Sequence, residues 1–265
     1  MARFLHLTDL HVVAEGKTAS GVLDTRAILL NTIDQIIEML SALGPVDAVL
    51  VSGDLSDDGT ASSYQFVRAQ LDRLGVPVLP IPGNHDHREH FRNAFSDLPF
   101  MPDCGAINWQ TTVNGTLIVG LDTLIEGSGS GEVNKDGLAF LSSAMSQSVE
   151  TPTVVLMHHP PFKTGIKFMD AIGLRGIDEF SAIMRDVKHS IIILAGHVHG
   201  VHYGQVGGHS AVTAPSVCSA FALDRRTDAF IGFFTQPTGF GVLDTEMGYH
   251  WSAVPTSYNG GPYAF

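Results

Sequence analysis

Five short polar clusters hold most of the side chains in this chain that can do chemistry. They are Asp9-Leu10-His11, Gly53-Asp54, Gly83-Asn84-His85-Asp86, His158-His159 and Gly196-His197-Val198-His199. Together they supply carboxylates, one amide oxygen and several imidazoles, a donor set that suits a pair of divalent transition metals. Singly, each has an ordinary reading: Asp-x-His as a capped turn, Gly-Asn as a left-handed turn, His-x-His as surface histidines on a strand end. Each cluster also follows an apolar run of strand length. That shared placement turns five weak signals into one strong one, and the chemistry it predicts is hydrolysis at a two-metal centre.

The residue types divide the work. Asp9 and His11, two apart, can face the same way. Gly53 clears the backbone before Asp54, whose two carboxylate oxygens can bridge two cations. Asn84 offers a neutral oxygen to one metal, an uncommon ligand. His85 is placed to face a substrate without ligating, and Asp86 to hold an imidazole in its working tautomer. Along an extended chain His158 and His159 point opposite ways, so one ligates; we assign His158, with His159 behind it. His197 and His199 share a face and both can ligate. The expected metal ligands are therefore Asp9, His11, Asp54, Asn84, His158, His197 and His199. Asn84, His85 and His199 are expected to touch substrate as well.

The elements that must position these groups are legible as apolar runs. Phe4–Leu7, Ala48–Val51, Val76–Ile81, Thr116–Leu121, Thr153–Met157 and Ser190–Leu194 read as strands covered on both faces. Helical spacing of Leu29, Ile33, Ile36, Ile37, Leu40 and Leu43 ends at Gly44-Pro45; further helices are expected near Ser62–Leu74, Leu138–Met145 and Asp178–Val187. Strand alternating with helix predicts an open α/β sheet with its site at the carboxyl ends of strands. From about Tyr203 helical periodicity stops. Val212–Thr213, Phe230–Phe234, Phe240–Leu243 and Tyr249–Val254 read as short antiparallel strands, the last two joined through Asp244–Gly248. We expect a second sheet from residues 203–265, packed on the first within one domain spanning 1–265. Gly127–Gly131 reads as a flexible loop. Phe162–Gly176, with Lys163, Lys167, Phe168, Met169 and Arg175, is either a substrate wall or an ordinary long loop. His6, His87, His90, His189, His202, His209 and His250 read as structural or surface histidines.

A chain of 265 residues, 44% apolar and 16% charged, with a formal net charge of -12, can bury a sizeable core. Its 15 Lys and Arg are scattered, the longest basic run being Arg225-Arg226, which argues against a long nucleic-acid partner. No apolar run approaches a bilayer span, and no leader is expected before Phe4. Cys104 and Cys218, lacking C-x-x-C spacing, are expected to be buried, reduced thiols of a cytoplasmic protein, the alternative being a bridge within or between chains. A homo-oligomer is compatible with all of this.

The order D-x-H, G-D, G-N-H-D, H, G-H-x-H resembles the calcineurin-like metallophosphoesterases over residues 9 to 199. Ile-Pro-Gly-Asn-His-Asp and Met-His-His-Pro-Pro, with Met169-Asp170 following, resemble within it the class III cyclic nucleotide phosphodiesterases and bacterial glycerophosphodiesterases. The resemblance implies a two-sheet β-sandwich flanked by helices. It implies one metal held by Asp9, His11 and His199, another by Asn84, His158 and His197, Asp54 bridging them, and His85 as the catalytic histidine. Purple acid phosphatases carry Tyr where Asp57 stands, so no tyrosinate is expected; the protein phosphatases of the superfamily carry Arg where Pro82 stands. The expected reaction is in-line attack of a metal-bridging hydroxide on a small phosphodiester, with two ions of Mn, Fe, Co or Zn. Two dications, two aspartates and one hydroxide leave the centre near +1, which suits a diester monoanion. The rival readings are a phosphomonoesterase, a nuclease and a catalytically silent scaffold.

Overall fold

The structure is a computed structural model that describes residues 2–147, 150–246, 248–258 and 263. Its strands are β1 (Arg3–Leu7), β2 (Ala48–Ser52), β3 (Val78–Ile81), β4 (Trp109–Val113), β5 (Thr116–Leu121), β6 (Gly131–Glu132), β7 (Thr153–Met157), β8 (Leu174–Arg175), β9 (Ile191–Ala195), β10 (Tyr203–Val206), β11 (His209–Thr213), β12 (Gly239–Asp244) and β13 (His250–Pro255). The helices are α1 (Thr25–Leu43), α2 (Ala61–Asp72), α3 (Arg88–Ala94), α4 (Lys135–Gln147), α5 (Lys167–Ala171) and α6 (Ile177–Asp186). No described helix is long and apolar enough to cross a membrane.

Two sheets lie face to face. One runs β13-β12-β1-β2-β3, the other β10-β11-β9-β7-β5-β4, with β6 and β8 forming a separate pair. Within the first sheet β1, β2 and β3 are parallel; within the second β5, β7, β9 and β11 are. The period-2 alternation of strand side chains explains the layering. Ile118, Val154, Leu156, Ile192 and Leu194 turn toward the first sheet and join its core. Their neighbours Val119, Val155, Met157 and Ile193 turn outward, beneath Leu141 and Met145 of α4 and Phe180 and Met184 of α6. The stripe predicted for α1 holds, with Leu29, Ile33 and Ile36 wholly buried against the first sheet's core. The expected two-sheet sandwich flanked by helices is what the chain forms.

The strands of residues 203–265 do not make a sheet of their own. β10 and β11 extend the second sheet beside β9, whereas β12 and β13 add to the free edge of β1. The reason lies in residues 214–217. After β11 the chain passes between the sheets, Val217 N–H donating to the Thr8 carbonyl at 3.2 Å and Ser216 Oγ to the Asp9 carbonyl at 2.9 Å. That crossing delivers β12 to β1. The Phe240–Leu243 and Tyr249–Val254 hairpin is present in β12 and β13; Met247 in its turn lies outside the described residues. Phe230–Phe234 is not a strand. Only Phe234 bridges, to Ala220, because Phe230 and Ile231 have no sheet face to enter. The third strand begins at Val78 instead of Val76, and β4 was passed over because its Gln-Thr-Thr centre is that of a half-exposed edge strand.

Candidate metal centre

The parallel strands of both sheets end on the same side, and the five clusters lie on the loops that follow β1, β2, β3, β7 and β9. Those loops turn sharply. Asp9, His11, Asp54, His197 and His199 all have positive φ, between 46° and 71°, and they are five of the seven non-glycine residues in that region among those described. Such backbone is costly and persists where surrounding structure over-determines it. The over-determination is visible. His197 N–H donates to Asp9 Oδ2 at 3.0 Å, Asp9 N–H to the Gly53 carbonyl at 3.0 Å, and His11 N–H to the Asp54 carbonyl at 2.9 Å. A Cβ on Gly196 would overlap Thr8 Oγ1, so a glycine is required there.

The side-chain donors form two groups. In the first, His11 Nε2 lies 3.1 Å from His199 Nε2, and Asp9 Oδ1 lies 3.4 Å from the latter. In the second, Asn84 Oδ1 lies 3.0 Å from His158 Nε2 and 2.9 Å from His197 Nδ1. Asp54 Oδ2 joins them, at 3.5 Å from His11 Nε2 and 3.3 Å from His158 Nε2. All seven expected ligands therefore converge, in the two sets that the resemblance implied. Nearly all of them are buried.

The donor chemistry fits divalent metal ions. His158 Nδ1 donates to the Ser52 carbonyl at 2.8 Å, and its Nε2 meets two acceptors, Asn84 Oδ1 at 3.0 Å and Asp54 Oδ2 at 3.3 Å; burial opposes charge on the ring, but Asp54 prevails and pushes its pKa up to about 9. Likewise His11 Nδ1 donates to Asp57 Oδ1 at 2.9 Å, leaving its Nε2 lone pair toward His199. Positive charge is thus favoured between the Asn84 and Asp54 oxygens, and a metal ion on the neutral His158 Nε2 would supply it in place of the proton. Burial opposes ionisation of Asp54, but the His158 and His11 imidazoles outweigh it and hold the carboxyl well below its ordinary range. The residues that would carry metal are thus ionised where they need to be.

Behind the ligands stand groups that fix them. His159 is wedged against His197, ring centroids 4.4 Å apart. Its Nε2 donates to the Gly129 carbonyl at 3.1 Å and its Nδ1 meets Thr123 Oγ1 at 2.8 Å. Burial pushes its pKa down to about 3, so the ring stays neutral, and both its nitrogens are engaged while the ring packs against His197. The Gly127–Gly131 loop therefore does more than span a gap. Ser219 Oγ lies 2.8 Å from His199 Nδ1.

One expected role moves. Asp86 does not hold the His85 ring: its carboxylate accepts from Gly83 N at 2.8 Å, Ser56 N at 3.0 Å, Leu55 N at 3.2 Å and Tyr64 Oη at 2.9 Å. Four donors converging on a buried carboxylate make it the knot that ties the β2 and β3 loops together. Burial and then the neighbouring Asp54 charge push it up to about 6. The partner of His85 is Asp57, whose Oδ1 lies 3.1 Å from His85 Nδ1 as well as 2.9 Å from His11. Burial opposes charge on His85, but that hydrogen bond and the Asp54 carboxylate prevail, pushing its pKa up to about 9. In the sequence Asp57 is notable only as the residue standing where purple acid phosphatases carry Tyr, with no role of its own; Ser219 lies in Thr-Ala-Pro-Ser-Val-Cys-Ser, which carries no motif.

A cavity of about 570 Å³ opens over the metal ligands, lined also by Phe168, Met169, Phe221, Ile231 and Phe233. The Phe162–Gly176 segment is thus a wall of the site through Phe168 and Met169 of α5. Lys163 and Lys167 line neighbouring recesses, and Arg175 belongs to β8. Cys218 is buried beside Ser219, but Cys104 is exposed, against expectation; neither is bonded to another cysteine.

A profile of the calcineurin-like phosphoesterases matches residues 2–201. The chain belongs to that family. It is 28% identical over 270 residues to a probable glycerophosphodiester phosphodiesterase of Arcobacter nitrofigilis, covering 98% of this chain and 96% of the relative. It is 33% identical over 201 residues to a probable cyclic nucleotide phosphodiesterase of Rhodopseudomonas palustris, covering 74% of this chain and 71% of the relative. Among solved structures, a dimetal phosphatase from Danio rerio superposes with a TM-score of 0.68 at 13% identity, over 97% of this chain and 96% of that one, a likeness of fold.

Proposed function

We propose that this family member is a single-domain hydrolase of small phosphodiesters, with two divalent metal ions held by Asp9, His11, His199 and Asp54 on one side and by Asp54, Asn84, His158 and His197 on the other. The observation that carries the reading is the single oxygen of Asp54 shared by two otherwise separate donor sets. When bound, the two cations acidify a water and neutralise phosphoryl oxygens. Mn, Fe, Co and Zn all suit such ligands.

The chain's own residues do the rest. Asn84 and His199 sit beside the place a phosphoryl oxygen would take. His85, with Nδ1 engaged by Asp57, keeps its other nitrogen for the departing ester oxygen, to which it gives a proton. Asp57 and protonated His85 together are neutral, so the balance near +1 survives the addition of this carboxylate. Among the described residues no Lys or Arg lines the cavity. A dianionic monoester would lack the extra cation it needs, whereas a diester monoanion is matched. The relatives' names supply the two substrate classes, glycerophosphodiesters and cyclic nucleotides. Action on small esters instead of long nucleic acids is part of the same proposal and is supported by the scattered basic residues; a cytoplasmic setting is proposed with it.

The test compares bis-p-nitrophenyl phosphate with p-nitrophenyl phosphate, after chelation and after Mn²⁺ is added back. Restored turnover of the diester above the monoester is expected. A preference for the monoester would make this a phosphatase, and no metal-dependent turnover of either would leave a scaffold.

A further inference from the structure

The cavity over the metal ligands does not stop at its aromatic wall. A second cavity, of about 550 Å³, lies beside it, and the two share Phe168, Phe230, Ile231, Gly232 and Phe233. Every shared residue is apolar. Phe230 is 90% exposed and Ile231 68% exposed, an arrangement that costs hydration and marks a surface meant to be covered. The strip is nonetheless anchored. Ala220 and Phe234 exchange two backbone hydrogen bonds of 2.8 Å, and Phe233 packs on Val13, Ala19, Leu23 and Cys218. Phe168 meets Phe221 edge-on at 5.2 Å, and Phe221 stacks on the ligand His199 at 4.5 Å. The strip is therefore tied directly to the metal-binding half.

We infer that the second cavity receives an alkyl or acyl chain borne on one ester oxygen, so that this protein prefers phosphodiesters with a long apolar arm. The inference rests on the diester reading above. A nucleobase lodged in the shared passage would meet no hydrogen-bonding side chain there, whereas a hydrocarbon chain needs none and can run on to the polar far end. The polar lining lies at the far end, where Asp224 and Arg226 pair with one another and Lys167 and Thr227 can meet a carbonyl or head group at the end of the chain.

The test uses the metal-loaded chain with methyl, butyl and octyl p-nitrophenyl phosphate. Burying a methylene is worth up to roughly fourfold, so kcat/KM is expected to rise at least about thirtyfold from methyl to octyl, mainly through KM. Phe230→Ala and Ile231→Ser, both at exposed positions, should each cut the octyl-to-methyl ratio by about fivefold or more. A flat response to chain length, a phenyl ester outrunning the octyl, or an unchanged ratio in both variants overturns the inference. Calorimetric binding of octylphosphonate against methylphosphonate separates it from the diester reading. Tighter octyl binding that is lost in Phe230→Ala, with no diester turned over, keeps the apolar site and removes the diesterase. Turnover with equal binding of the two phosphonates does the reverse.

Discussion

The strand-end loops and the strip from Phe221 to Phe234 face each other across one cavity and are built on opposite principles. In the loops every expected ligand but Asn84 is buried, and five of them sit in left-handed backbone that the surrounding hydrogen bonds enforce. The strip has a single backbone bridge, to Ala220, and turns Phe230, Ile231 and Phe234 to solvent. The difference teaches a division of labour. Reaction chemistry rests on parts that the fold cannot vary without losing its core, and substrate choice on a part the core does not need.

The comparison breaks most readily at Asp54. Asp54→Asn keeps the shape but removes the negative charge that the two cations would share. Turnover is expected to fall by about a thousandfold or more, and metal analysis should find fewer than two ions bound. Full activity would show that the loops are not the reacting half. Asn84→Ala, which strips one ligand from the second set, should cost about a hundredfold with loss of one ion. Next comes Asp57→Asn, which leaves all seven ligands in place while removing the charge that holds His11 and His85. A loss of roughly 10- to 100-fold in metal affinity or rate is expected, read by metal titration of the chelated protein.

Much of the reacting half was legible before any coordinates. Ligands lie on short loops after near-continuous apolar strands, so spacing along the chain already implied their convergence. Asp57 escaped because its role depends on two imidazoles brought to it from β1 and β3. The imidazole expected beside Asp86 is absent for the same reason: folding turns the carboxylate toward Gly83, Ser56 and Tyr64. The split of the last strands between two sheets could not be read from alternation, which sets a strand's faces and says nothing of its neighbour. Aromatic residues near Phe230 read as strand because β-propensity registers fit to a pleated surface, and here no such surface is offered.

Tyr64→Phe probes the knot without touching a ligand. Its hydroxyl donates to Asp86 and accepts from His87 N–H at 2.7 Å. Losing both inside a buried site should cost about 2 kcal/mol, a fall in Tm of roughly 4–8 °C. The metal content should be unaltered. A collapse of metal binding instead would mean the knot positions the ligands, and that stability and chemistry are less separable than the division above requires.

The smallest effect belongs to the strip. Leu223 is 59% exposed, and Leu223→Ser removes apolar surface that folding has not buried. The change should stay within about 0.5 kcal/mol, a Tm shift of no more than roughly 2 °C by calorimetry. The argument is one of reference states: a side chain wet in both folded and unfolded chains contributes little to the difference between them. If Tm fell by more than about 5 °C, Leu223 would have to be covered in solution, and the strip would then be part of the scaffold instead of the half of the site that the core does not need.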